Sequence, residues 1–403
     1  MNDRNVNWIF IASLILGLSG IKPASAQPIT REPCRNIVVD KIWSGSPVGA
    51  TAISTPTAIF AAYYNADRYM TVAKIDVSSC EVIKHQLDSR FMGYDTHNYI
   101  AMTLDANEVL HVSGNMHGSP LVYYHARYPL DISTLEPSKM SGLNEHQVTY
   151  PVFFSIDSKL HFLYREGISG DGASFVNAYS ADLPSQTTNG SGWSKVFNGP
   201  LTVDKTSFNG KLSTDNAYWT RVQQTPDGFF HFAITWRIGS PDEALDSVVT
   251  YVRTKDFLHW QDASGTALTL PLSPDKVMPV IAPGPNKGLG AVKLSFTASG
   301  QPIILYSLYL KTDNGLRNGL YAARFDAVKN SWSSILLTQS NAYHAIGREG
   351  SLETLPHVSE LSLYGSVALL SVIFGPEPRQ YLKLDSVTLM PTTQQPKYSP
   401  DTP

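Results

Sequence analysis

The 403-residue chain carries 31 Lys and Arg against 34 Asp and Glu, a formal net charge of -3, so it lacks the basic face that marks nucleic-acid binders. Only 16% of residues are charged and 11% are aromatic, while 28 Gly, 26 Pro and 20 Tyr suit short strands and tight turns better than helices. These proportions favour an all-β protein over a helical one.

At the N-terminus, Arg4 precedes an apolar run from Trp8 to Ile21 that Lys22-Pro23 ends. Ala24-Ser25-Ala26 before Gln27 has the small-x-small pattern of a signal-peptidase site. The run is short for a permanent membrane helix, and no later segment is apolar enough to replace it. Residues 1–26 are therefore expected to be a signal peptide, with an uncleaved anchor as the alternative, and 27–403 a single exported domain, periplasmic or secreted, with no membrane partner after cleavage. In such a compartment Cys34 and Cys80 can pair, and closing that loop would contribute about 4 kcal/mol in the chain-entropy model. Two free buried thiols are the alternative. No Cys/His spacing matches a zinc site.

After the signal, runs of four to eight β-prone residues alternate with Gly, Asp, Asn and Pro clusters. In chain order they include Ala58–Tyr64, Tyr69–Ile75, Tyr99–Leu104, Leu121–Tyr124, Val148–Ile156, Leu160–Tyr164, Phe229–Trp236, Ile303–Tyr309 and Val367–Phe374. A degenerate unit of strand end, polar turn and new strand recurs about every 50 to 75 residues, the size of one four-stranded propeller blade with its loops. Its copies are Leu104–Val112, Ile156–Phe162, Pro226–Phe232 and Phe296–Leu305. Tyr124-His125-Ala126-Arg127, Tyr251-Val252-Arg253 and Tyr321-Ala322-Ala323-Arg324 follow three of them. The fold expected is a β-propeller of five to seven blades, seven being favoured, with a double-sheet sandwich as the alternative.

His111, His161 and His231 occupy equivalent places in successive units, which argues for blade architecture rather than chemistry. His259, within Lys255–Trp260, belongs to an outer-strand packing motif. His97 and His117 stand outside the repeated positions, in Gly93–Tyr99 and Ser113–Pro120. One precedes a strand and the other follows the next, so an antiparallel hairpin would bring them to one end of a blade. Imidazoles titrate near neutrality and suit proton transfer. The alternative is two turn histidines bonded to backbone. Two further clusters are rich in side-chain chemistry: Val148–Phe154 with Phe162–Gly172, and Asp215–Trp219 with Thr235–Arg237. Arginine recognises carboxylates bidentately, and exposed Tyr or Trp can stack on sugar rings.

At these residues the sequence resembles the BNR-4 group of propeller proteins, which includes propeller-type ulvan lyases. The segments that carry the resemblance include Tyr94–Tyr99, Ser113–His117, Pro120–Tyr124, Thr149–Pro151, Tyr164–Gly170, Asn216–Tyr218, Phe230–Phe232 and Trp236-Arg237, spread over about residues 90–325. The resemblance implies a catalytic set falling on His97, His117, Tyr150 and Arg165. It also suggests substrate contacts at Asn98, Tyr218, His231, Trp236 and Arg237. The chain is shorter than typical ulvan lyases, and many members have no established substrate.

The activity implied is β-elimination of a uronic-acid-containing glycan such as ulvan. Arg165, helped by His117, would neutralise the uronate carboxylate; His97 would act as base and Tyr150 as acid, with the reverse order or Tyr150 in both roles also open. This chemistry demands no metal or organic cofactor, and a structural calcium in a carboxylate-bearing loop is compatible with it. The partner expected is an acidic polysaccharide. Rival readings are a propeller glycoside hydrolase using paired carboxylates, a rhamnosidase among them, or a non-catalytic glycan-binding propeller.

Overall fold

The computed structural model describes residues 34, 36–45, 48–180, 191–208, 211–239, 245–284, 287–343 and 356–392; the expected signal segment lies outside them. Among the described residues, regular structure is almost wholly antiparallel strand, with two 3-10 turns at Thr96–Asn98 and Ile132–Thr134. No helix among them is long and apolar enough to cross a membrane.

The first sheet is a meander of β1 (Thr51–Ser54), β2 (Ala58–Tyr64), β3 (Tyr69–Asp76) and β4 (Val82–Arg90). The second is β5 (Ile100–Leu104), β6 (Leu110–Gly114), β7 (Tyr123–Ala126) and β8 (Leu135–Pro137). The third is β9 (Val148–Ile156), β10 (Lys159–Ile168), β11 (Asp171–Tyr179) and β12 (Trp193–Lys195). A larger sheet follows, of β13 (Lys205–Phe208), β14 (Lys211–Trp219), β15 (Gln223–Gln224), β16 (Phe230–Ile238), β17 (Leu245–Thr254), β18 (Trp260–Gln261), β19 (Ala267–Leu268) and β20 (Pro279–Ile281). The fifth is β21 (Gly290–Phe296), β22 (Pro302–Thr312), β23 (Gly315–Asp326) and β24 (Ser331–Gln339). The last joins β25 (His357–Val358), β26 (Ser362–Tyr364), β27 (Val367–Ile373) and β28 (Gln380–Asp385). Successive four-stranded meanders are the blade pattern of a β-propeller.

The chain groups into two compact units, Met1–Tyr164 with Asn177–Ser194, and Arg165–Val176 with Lys195–Pro403. In the first, Phe60, Val72, Phe91, Met102, Val112 and Tyr124 belong to one buried core. In the second, Ile303, Leu305, Leu320, Leu370 and Val372 belong to another. Strands such as β2 and β6 are buried on both faces, hence their nearly continuous apolar runs. β4 is half-exposed, and its sequence carries Lys84, His85, Gln86 and Asp88 accordingly.

The repeated histidines hold blades together. His111 lies opposite His125, and Ser113 opposite Tyr123. His231 lies opposite Arg253, and Ala233 opposite Tyr251, the same register in the other unit. In both, the histidine Nδ1 meets the hydroxyl of the diagonal tyrosine, at 2.7 Å for Tyr123 and 2.6 Å for Tyr251. His161 instead bonds the Lys159 carbonyl at 2.8 Å. The Lys255–Trp260 motif also packs as read: Trp260 is buried and donates to the Phe257 carbonyl, while His259 is exposed against Asp256. Cys34 and Cys80 are bridged, with Cα atoms 5.7 Å apart.

Burial holds these imidazoles neutral. It lowers the pKa of His111, and takes those of His125, His161 and His231 to about 4. An unfolded histidine binds its proton near pH 6.5. Their stabilising contribution is therefore complete above that pH and is lost as pH falls towards 4. Thermal unfolding followed from pH 7.5 to 4 should show the midpoint dropping through this window; a flat profile would contradict the assignment. Replacing Cys80 by Ser should lower stability by about 4 kcal/mol, read from denaturant unfolding.

Candidate active site

Asp95 caps the 3-10 turn Thr96–Asn98, its side chain accepting the His97 backbone N–H at 3.0 Å. An aspartate two residues before its donor makes this turn readily. Asn98 closes it from the other side, its amide donating to the Asp95 carbonyl at 3.1 Å, and the Tyr64 hydroxyl donates to the Asn98 carbonyl at 2.5 Å. Four residues of sequence thereby fix the His97 ring.

His117 reaches the same place from the far end of the β5–β6 hairpin, where Ile100 pairs with Gly114. A Cβ on Gly114 would stand 2.8 Å from the Tyr99 carbonyl oxygen and 2.9 Å from the Ile100 Cα, so only glycine allows this approach. The loop beyond is held at several points. Asn115 donates to Ser89 Oγ at 2.8 Å, Met116 is fully buried, and the Gly118 N–H donates to Thr149 Oγ1 at 2.8 Å. Ser119 bridges Val148, which sets β9 and with it Tyr150 beside the loop.

The two histidines share one carboxylate. His97 Nδ1 lies 2.5 Å from Asp95 Oδ1, and His117 Nδ1 contacts Oδ2. The rings stack with centroids 4.2 Å apart and planes 20° from parallel, and Tyr150 meets His97 edge-on at 5.6 Å. Burial works to raise the Asp95 pKa, but the His97 N–H and the two imidazole hydrogen bonds outweigh it and bring it down to about 2. An ionised carboxylate only accepts hydrogen bonds, so each Nδ1 carries a proton. The arrangement can deliver a base with a fixed tautomer next to a phenol. Tyr150 itself has φ of 60°, a conformation costly for a bulky residue and concentrated at functional sites.

One atom each from Asp95, His97 and His117 lies within 4.8 Å of the others, close enough to raise metal binding. The near-parallel rings send their Nδ1 axes along separate lines, one to each carboxylate oxygen. That is the geometry of two hydrogen bonds to one carboxylate.

The other expected residues are distributed differently. Arg165 belongs to the second unit and is 2% exposed, close to Gly172, whose absent side chain leaves room for the Arg165 stem and the Asn216 carbonyl. Tyr218 and Arg237 are half-buried on β14 and β16. Two expected substrate contacts need correction. Trp236 is fully buried with its indole N–H given to Thr250 Oγ1 at 2.8 Å, so it offers no face to a sugar. His231 is 3% exposed with Nδ1 on Tyr251 and Nε2 on Thr225, so both nitrogens serve the blade. Asn98 also spends its amide nitrogen on the turn. The reading from sequence missed Asp95 as the shared acceptor, although its Asp-x-His spacing was the available signal.

The fold is that of a β-propeller, with two histidines paired on one carboxylate. The BNR repeat-containing family model matches residues 58–340, and the chain belongs to that family. No curated protein sequence matches it. Among solved structures it is similar to the polysaccharide lyase Uly1, with a TM-score of 0.56 and 14% identity over 89% of this chain and 94% of that one. It is also similar to a PL25 ulvan lyase determined bound to -[GlcA(1-4)Rha3S]-, with a TM-score of 0.55 and 13% identity over 86% and 84%.

Replacing Asp95 by Asn leaves one acceptor oxygen for two imidazoles. Nitrogen-15 spectra should show both rings protonated at Nδ1 in the native protein and only one so fixed in Asp95→Asn. Replacing Gly114 by Ala should cost roughly 1–3 kcal/mol in denaturant unfolding, as overpacking does.

Proposed function

We propose that the protein is an exported polysaccharide lyase that cleaves a 4-linked uronic acid in an acidic glycan by β-elimination. The observation that carries this reading is the Asp95 carboxylate holding His97 and His117 in one tautomer beside Tyr150. His97 Nε2 takes the C5 proton, the electrons form the C4–C5 double bond, and the C4–O4 bond breaks. Tyr150 gives its hydroxyl proton to the departing O4. His117, stacked on His97, helps to meet the charge that develops on the uronate. Arg165 is assigned to neutralise that carboxylate, a role that rests on the sequence match alone. Ulvan is the first substrate to try, because one of the structurally similar proteins was determined with a glucuronate–rhamnose sulfate unit bound.

A glycoside hydrolase is the second reading, and one observation favours it. Asp215 is fully buried, and burial followed by the nearby charges of Asp204, Asp275 and Asp171 raises its pKa to about 8, so it holds a proton at neutral pH as a general acid would. Its burial withholds it from a polymer, which is why we rank this reading second.

The products separate the two. Incubation of the purified mature protein with ulvan and other acidic polysaccharides should produce a rise in ultraviolet absorbance from the unsaturated uronyl end. The rate should fall on the order of a hundredfold or more in His97→Ala and in Tyr150→Phe. New reducing ends without absorbance would establish hydrolysis instead.

A further inference from the structure

The histidine–tyrosine lock occurs in both units in one register, but its surroundings differ. Around His111 the space is packed by Tyr179 and Trp193, whose ring centroids lie 4.8 and 6.0 Å away, and the Tyr179 hydroxyl reaches His125 Nε2 at 3.3 Å. Around His231 the corresponding partner is Arg253 instead of His125. Its neighbours include the small residues Ala263, Ser264, Gly300 and Ala327, and they leave a cavity of about 200 Å³. None of the residues assigned above to catalysis lines it.

Among the lining residues Asp227 is the acid and Arg253 the cation. Its guanidinium lies 4.6 Å from the Phe229 ring centroid, and the Lys255 ammonium lies 4.6 Å from the same ring. Among the described residues it makes no ion pair and no hydrogen bond, and its Nε is buried without a partner. A guanidinium presents five donors in a planar fork shaped for two oxygens of one anion, and a buried donor left unmet is destabilising. His231 and Tyr251 also line the cavity, but they bond each other. The exposed amides of Gln301 and Asn330 on its lining suit hydroxyl groups. At this volume the cavity falls below the roughly 300–1,000 Å³ of drug-sized sites, which limits the occupant to about one sugar ring.

We propose that this cavity is a second binding site, taking an oxyanion, carboxylate or sulfate ester, on a body of one sugar ring, with Arg253 as the bidentate donor. The site is independent of the lyase reading and stands or falls without it.

The test is calorimetric titration of the mature protein with glucuronate, glucose 6-sulfate and methyl glucoside. At least one of the two anionic sugars should bind, the neutral one should not, and the tighter anion identifies the group carried. Arg253→Gln should weaken that binding tenfold or more with an unchanged circular dichroism spectrum. Ala327→Trp, which fills the cavity and keeps the guanidinium, should do the same if Arg253→Gln fails to fold. No binding of either anion, equal binding of methyl glucoside, or anion binding that survives both variants would overturn the proposal. Loss of lyase activity has no bearing on any of these readouts.

Discussion

One carboxylate with two imidazole donors organises the candidate site. Asp95 accepts from His97 and His117 through separate oxygens and from the His97 backbone as well, so a single anion fixes a turn, a loop and two tautomers. Remove its charge and neither ring has a reason to lie against the other, because stacked imidazoles have little affinity of their own. Half-exposed as it is, the group keeps its ionisation because three N–H donors substitute for the water that burial removes.

That clamp depends in turn on a backbone contact. Gly114 lets β5 and β6 approach at the end from which both histidine-bearing segments leave, and the Gly118 and Ser119 contacts to β9 add the strand that carries Tyr150. The site is thus assembled from the ends of strands in neighbouring sheets. Elsewhere the blade plan repeats closely enough that the same histidine–tyrosine bond recurs in the same register. The His161 copy lacks that bond, meeting the Lys159 carbonyl instead, and the two copies that share it differ in what surrounds it.

Much of this was legible in the sequence because strands in a propeller are short, punctuated and rich in β-branched and aromatic residues. Ala58–Tyr64 and Val148–Ile156 were read with the bounds that the structure gives. Leu121–Tyr124 was read too early: the Val122 N–H goes to the Met116 sulfur instead of a ladder, and the strand begins at Tyr123. The convergence of His97 and His117 followed from hairpin logic alone. Of their shared acceptor, the Asp-x-His spacing could signal only the His97 half, since the contact with His117 joins residues 22 apart. Trp236 was misjudged for a related reason: an aromatic on a central strand looks the same whether it faces a ligand or the next sheet, while His231 lines a cavity with both ring nitrogens already bonded to Tyr251 and Thr225. The unpartnered state of Arg253 was equally hidden, because it depends on small residues contributed by distant turns.

Tyr150 holds a left-handed backbone conformation that nearly any designer would assign to Gly or Asn. A chain selected only for resistance to heat would be expected to lose the phenol there, relaxing the backbone as it did so. Under the mechanism proposed above, heat tolerance and turnover would be set against each other at this one residue.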